Sequence, residues 1–192
     1  MKATTIKKKV KPTKLFWIDL EMTGLDTDTE VITEVAALVS DFKLNIEAEY
    51  EAVVHYSEED LQKRFDAEEQ GFWNSMPEER DKLKKACSES KTSIKEIEKE
   101  LIKLCKKHFP KDEKVIIAGN SIRADREFIE KFMPELTSLL HYRMFDVSGL
   151  KVWIEGNGHE GRKKEERHRA LYDIYESMAE LKYYLEKGWM KL

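Results

Sequence analysis

LFWIDLE, residues 15–21, is a short apolar run that ends in carboxylates, and it reads as a buried β-strand. Alternate side chains on a strand leave the same face, so Asp19 and Glu21 point the same way. Two neighbouring carboxylates on a mostly apolar strand repel each other and lose hydration, a cost on the order of several kcal/mol unless a cation compensates. The plainer alternative is that the strand simply ends there and Glu21 is solvated, since strand ends are commonly polar. The pair alone does not choose.

Outward from this run, TGLDTDTE (23–30) is turn chemistry, and VITEVAALVSD (31–41) and IEAEYEAVVHY (46–56) form an antiparallel meander around DFKLN. From Ser57 the texture becomes helical. Ser57 and Asp60 are spaced as a capping box with Asp in place of Glu, and Pro77 suits the first turn of a second helix. Beyond Thr92, the residues Ile94, Ile97, Leu101, Leu104 and Cys105 recur at helical spacing as far as Pro110. VIIAGN (115–120) is a buried strand, and ADREFIEKFM (124–133) is a helix stopped by Pro134. HYRMFDV (141–147) reads as a further strand, with a helix near 148–155 after it. GNGHEGRKKEERHR (156–169) is a charged, Gly-spaced loop; ALYDIYESMAELKYYLEK (170–187) is a long amphipathic helix closed by Gly188. The order predicts an α/β fold with a mixed five-stranded sheet flanked by helices.

Composition is consistent with one domain. The chain has 192 residues, of which 41% are hydrophobic, so it can bury a core and is not a disordered or low-complexity protein. No apolar run approaches the ~18 residues that would span a bilayer. Cys87 and Cys105 are the only cysteines and lack C-x-x-C spacing, which reads as two free thiols in a reducing compartment. Residues 1–14 hold six lysines and no acid and read as a flexible tail; the other 178 residues carry −10. This leader lacks the apolar core of a secretory signal and the Arg-bearing amphipathic pattern of a mitochondrial presequence. The expected location is cytoplasmic, with mitochondria the alternative. A body this acidic does not grip a long nucleic acid through a broad basic surface.

More acids follow the buried strands. Asp125 comes five residues after VIIAGN at a helix start, and Asp173 lies in the first turns of the last helix between Leu171 and Ile174. Each also has a bland reading, as a dipole-favoured or solvated helix acid. Convergence of Asp19, Glu21, Asp125 and Asp173 at one end of the sheet would require divalent cations, and all-oxygen ligation suits Mg²⁺ or Mn²⁺. Two such ions a few Å apart clamp the attacking and leaving oxygens of a phosphodiester. His168 precedes Asp173 by five residues, roughly 140° apart on one helix, so it belongs on the loop before the helix, where it can swing over the metals.

Four segments in order, WIDLEMTGLD (17–26), GNSIRADREFI (120–129), HYRMFDVSGLK (141–151) and HRALYDIYESMAELKYY (168–184), carry a resemblance. From about Leu15 to Leu192 the chain resembles the oligoribonuclease family of DEDDh 3′–5′ exonucleases, which share the ribonuclease-H-like fold. The resemblance implies a single exonuclease domain over 15–192 that degrades very short RNA, dinucleotides especially, to 5′-mononucleotides with two Mg²⁺ or Mn²⁺ ions. It implies Asp19, Glu21, Asp125 and Asp173 as metal-binding acids and His168 as general base. Leu25 matches an apolar wedge against bases, Trp73 a stacking aromatic, and Ser121, Arg143 and Ser148 phosphate contacts. Tyr142 matches a residue lent to the partner's site in a homodimer. The expected partners are short RNA oligonucleotides and a second copy of the chain, with no membrane. On a strand, Tyr142 and Arg143 would face opposite ways, which would free Tyr142 for that partner. The chain departs from the family pattern at Glu78, commonly histidine, and at Tyr172, usually aspartate. Two other readings stand beside this one: an exonuclease trimming longer RNA or DNA ends, and a catalytically silent binding module.

Overall fold

In the computed structural model, which describes residues 11–67, 71–163 and 168–189, the first strand is central because both of its faces are apolar. β1 (Lys14–Met22) sends Phe16, Ile18 and Leu20 into one core and Leu15 and Trp17 into the other. β2 (Ile32–Asp41) runs antiparallel to it, and β3 (Ile46–Val53) antiparallel to β2, as the meander pattern predicts. β4 (Ile117–Gly119) and β5 (Phe145–Asp146) add in parallel on the other side. The sheet order is β3-β2-β1-β4-β5, a mixed five-stranded sheet.

Helices cover both faces. α1 (Glu58–Ala67) starts as the Ser57 spacing predicts: the Asp60 N–H donates to Ser57 Oγ at 3.1 Å, and the Ser57 hydroxyl donates to Asp60 Oδ2 at 2.7 Å. A 3₁₀ turn (Phe72–Ser75) leads to α2 (Pro77–Glu89), and these pack a satellite core of Val31, Leu61, Phe65, Trp73, Leu83 and Cys87. α3 (Ile94–His108), α4 (Arg123–Phe132) and the short α5 (Pro134–Thr137) bury Ile97, Leu101, Phe128, Ile129 and Leu136 against the Phe16 face. α6 (Val147–Gly156) and α7 (Ala170–Glu186) bury Val147, Ile154, Ile174, Met178 and Tyr184 against the Trp17 face. Cys87 and Cys105 are free and buried. No helix among the described residues is long and apolar enough to cross a membrane.

Two stretches differ from expectation. HYRMFDV is a strand only at Phe145–Asp146. On one side the chain advances from Val115 to Ala118, whereas its partner runs from a bridge at Leu140 to Phe145, so the surplus residues loop out. The Arg143 N–H folds back to His141 Nδ1 at 2.9 Å, and the Arg143 guanidinium lies 5.3 Å from the Tyr142 ring centre. Tyr142 and Arg143 therefore do not alternate across a sheet, and the opposite-face argument fails. At the other end of the chain, β1 begins at Lys14, and Thr13 donates through its N–H and its hydroxyl to Glu113, both at 2.7 Å. Residues 1–10 of the lysine-rich segment lie outside the described residues.

β4 can be this close to β1 because Gly119 has no side chain: a Cβ there would stand 2.9 Å from Ile122 Cδ1 and 3.1 Å from the Ile18 carbonyl oxygen. Gly119→Ala is expected to cost about 1–3 kcal/mol of stability, the usual price of overpacking. A denaturant midpoint that falls at unchanged m-value would show it.

Candidate active site

β1, β4 and β5 run parallel, so their carboxyl ends share one edge of the sheet, where open α/β sheets characteristically bind ligands. Asp19 and Glu21 continue the Leu15–Trp17 face of β1 to that edge, which turns them toward α7. Asp173 enters from the first turn of α7. Oxygens of Asp19, Glu21 and Asp173 lie within 4.8 Å of one another. Asp125, in the first turn of α4, is 6% exposed and accepts the Leu20 N–H at 2.9 Å, so it contacts the backbone between the two β1 acids. For Glu21 the solvated reading fails on burial: it is only 8% exposed.

Burial pushes these carboxyls up. Desolvation raises Asp19 well above the usual range, followed by repulsion from Asp125, Glu21 and Asp173. Glu21 is pushed up to about 8 by burial and then by Asp173, and Asp125 up to about 7 by burial. The set is three oxygen donors spaced for ligation with a fourth acid behind them, which fits hard divalent cations.

His168 stands immediately before α7 in a left-handed conformation, φ +48°, an unusual state for a non-glycine residue. Its ring meets Phe72 edge to face, with centroids 4.7 Å apart. Phe72, Trp73, Leu25, Gly24, Met22, Glu21 and Leu20 line a pocket of about 290 Å³. Leu25 projects into solvent, as a wedge would. Trp73 lines this pocket from a mostly buried position: it is 4% exposed, packs on Phe65 and donates its indole N–H to the Met22 carbonyl at 2.7 Å. Its neighbour Phe72, 51% exposed, is the more open aromatic there. A larger cavity of about 460 Å³ lies around Cys105, Phe109 and Val115, at the opposite ends of the strands from the acids.

Ser121 and Ser148 come together. The Ser121 N–H donates to Ser148 Oγ at 2.8 Å and to Asp146 Oδ1 at 3.1 Å, and Ser121 is also left-handed, φ +50°. The Ser148 hydroxyl donates to Asn120 Oδ1 at 3.1 Å, and Asn120 donates to Ser177 Oγ on α7 at 2.7 Å. Arg143 and Tyr142 are exposed beside each other; Tyr142 is stacked on His141 and 75% exposed.

Residues 16–181 match the model of the Exonuclease family. An oligoribonuclease of Corynebacterium glutamicum (strain R) is 43% identical over 176 residues, covering 89% of this chain and 78% of that protein. The chain belongs to the oligoribonuclease family of exonucleases. An oligoribonuclease of Francisella tularensis subsp. novicida is 41% identical over 184 residues, covering 90% of this chain and 94% of that protein. Among solved structures, the zinc-bound E. coli exonuclease I–single-stranded DNA complex superposes with a TM-score of 0.64 at 12% identity, over 92% of this chain. The chain spans only 41% of that protein, and the likeness is one of fold. Exonuclease I of Methylocaldum szegediense gives 0.61 at 15% identity.

Pattern reading did not single out Phe72, Asn120 or Asp146, nor Glu34, which pairs across from Glu21 on β2, and Arg169, whose guanidinium donates to Glu34. Glu34 carried a signal: it is a lone acid inside the apolar run VITEVAALV. Phe72 had none, because only packing decides which ring of a Phe-Trp pair is buried.

A carboxyl whose folded pKa lies above its unfolded value favours folding fully below the unfolded pKa, and that contribution is lost as pH rises through the folded value. With Glu21 near 8 and Asp125 near 7, the metal-free chain is expected to lose melting temperature between pH 5 and pH 8. Millimolar Mn²⁺ should reverse the loss and Glu21→Gln should flatten it. A wild-type profile no steeper than that of the variant would contradict this electrostatic account.

Proposed function

We propose that this exonuclease removes 5′-mononucleotides from the 3′ end of very short RNA, dinucleotides included, at the acidic edge of the sheet. The observation that carries the reading is the trio of Asp19, Glu21 and Asp173 within ligation distance of one another on buried elements, with Asp125 behind them. These residues would hold two Mg²⁺ or Mn²⁺ ions, which when bound supply Lewis-acid stabilisation of the attacking and leaving oxygens. His168, just before α7, is assigned to take a proton from the attacking water at a ring nitrogen. Leu25 and Phe72 give the terminal base an apolar wall, and Ser121, Ser148 and Arg143 offer donors to phosphate.

Short length follows from the charge. With a body at −10, the enzyme gains little from counterion release along a polymer, so affinity rests on the compact site. That favours oligonucleotides of a few residues over the trimming of long RNA or DNA ends. The exposed Tyr142 supports a homodimer in which each copy lends this ring to the other, two-fold pairing being the commonest closed symmetry. The location proposed is the cytoplasm.

Asp19→Ala and Asp173→Ala are expected to abolish hydrolysis, and His168→Ala to lower kcat by about 10²–10⁴ with Mn²⁺ binding retained. Unchanged kcat in His168→Ala would remove its assigned role. Across RNA substrates from two to about twenty nucleotides with Mn²⁺, kcat/KM is expected to be highest at the shortest lengths. A profile rising with length would favour the long-substrate reading. Tyr142→Ala should depress dinucleotide cleavage while sedimentation still shows a dimer; a fully active monomer would refute the shared site.

A further inference from the structure

Glu34 is a fully buried carboxylate that the proposed chemistry does not use. It sits on β2 directly across from Glu21, on the face turned to α7, and is 0% exposed. Its oxygens accept the Arg169 Nε–H at 2.9 and 3.2 Å, and Oε1 accepts the Ala170 N–H at 3.2 Å. Arg169 is the N-cap of α7 but makes no side-chain cap bond of its own. An acid from a neighbouring strand therefore does the capping, where the helix dipole favours a negative charge.

Arg169 and Ala170 are the two residues after His168. The left-handed backbone of His168 costs free energy and persists only where its surroundings over-determine it. The Glu34 bonds fix the chain on its downstream side, and the Phe72 ring meets the imidazole itself. We infer that Glu34 is a positioning residue for His168, acting through the Arg169 side chain and the Ala170 amide to hold the proton acceptor at the acidic edge. This rests on the function proposed above and adds to it a β2 carboxylate that touches neither substrate nor the reacting atoms. It also couples the two halves of the site, since Glu34 is the cross-strand neighbour of one metal-site acid and the anchor of the base.

The test uses the full chain carrying Glu34→Gln, alone and combined with His168→Ala, and measures kcat and KM on a ribodinucleotide at saturating Mn²⁺. Amide exchange at Ala170 is followed by NMR in the same proteins, without substrate. In the wild-type background Glu34→Gln is expected to lower kcat about ten- to a hundredfold with KM little changed, the usual size of a supporting-residue effect. With His168 already removed, the same change should cost nothing further, because residues acting as a unit are non-additive. Ala170 exchange should accelerate. Arg169→Met should reproduce the kcat loss and Arg169→Lys restore part of it. Unchanged kcat, an equal fold-loss in both backgrounds, or unaltered Ala170 exchange would each overturn the assignment. A wild-type chain that does not cleave the dinucleotide would instead overturn the function proposed above, and the exchange measurement would still decide whether Glu34 holds this turn.

Discussion

Buried like charge at the carboxyl end of β1 is the constraint around which this molecule is arranged. Asp19, Glu21 and Asp173 crowd within 4.8 Å, with Asp125 buried behind them and Glu34 opposite. Repulsion and lost hydration oppose such a cluster, so the rest of the fold must hold it in place until cations offset the cost. The two cores do this by making β1 the strand that cannot move: it is covered on both faces and paired on both edges.

Strand alternation then does the aiming. Leu15, Trp17, Asp19 and Glu21 share the α7 face of β1, and Ala36 and Leu38 share it with Glu34 on β2. The same periodicity that builds the Trp17 core therefore delivers the carboxylates to the N-terminus of α7, where Asp173 meets them. Just past Glu21 the pairing slips, Met22 lying opposite Ile32, and the Thr33 hydroxyl donates to the Glu21 carbonyl at 2.9 Å. A bulge beside a site is a common device for ending a ladder and re-aiming side chains.

Around this edge Ser121 and His168 occupy turns held by long-range hydrogen bonds, His168 also meeting the Phe72 ring. Ser121 and His168 are both left-handed, and each is tied down by partners from a distant part of the chain: Ser121 by Asp146 and Ser148, and His168 through the Glu34 contacts of the residues after it. The web from Ser148 through Asn120 to Ser177 links the serine pair to α7 as well. One helix thus carries Asp173, begins next to His168 and reaches the serine pair through Ser177.

Much of this was legible in the sequence. The apolar run LFWIDLE, the meander, the Ser57 cap and the last amphipathic helix needed only local rules, whereas the grouping of Asp19, Glu21, Asp125, His168 and Asp173 into one site came from the family resemblance, their spacing alone leaving the bland readings open. Those rules act within a strand or a few turns, so they could not say which members of a local group face inward. Trp73 rather than Phe72 went into the satellite core because its indole N–H found the Met22 carbonyl, 51 residues away. Tyr142 and Arg143 left the sheet because β4 and its partner differ in length between two pairings. Glu34 gained its place at the foot of α7 only when β2 and the last helix met, since a contact across 135 residues is set by packing and not by local pattern.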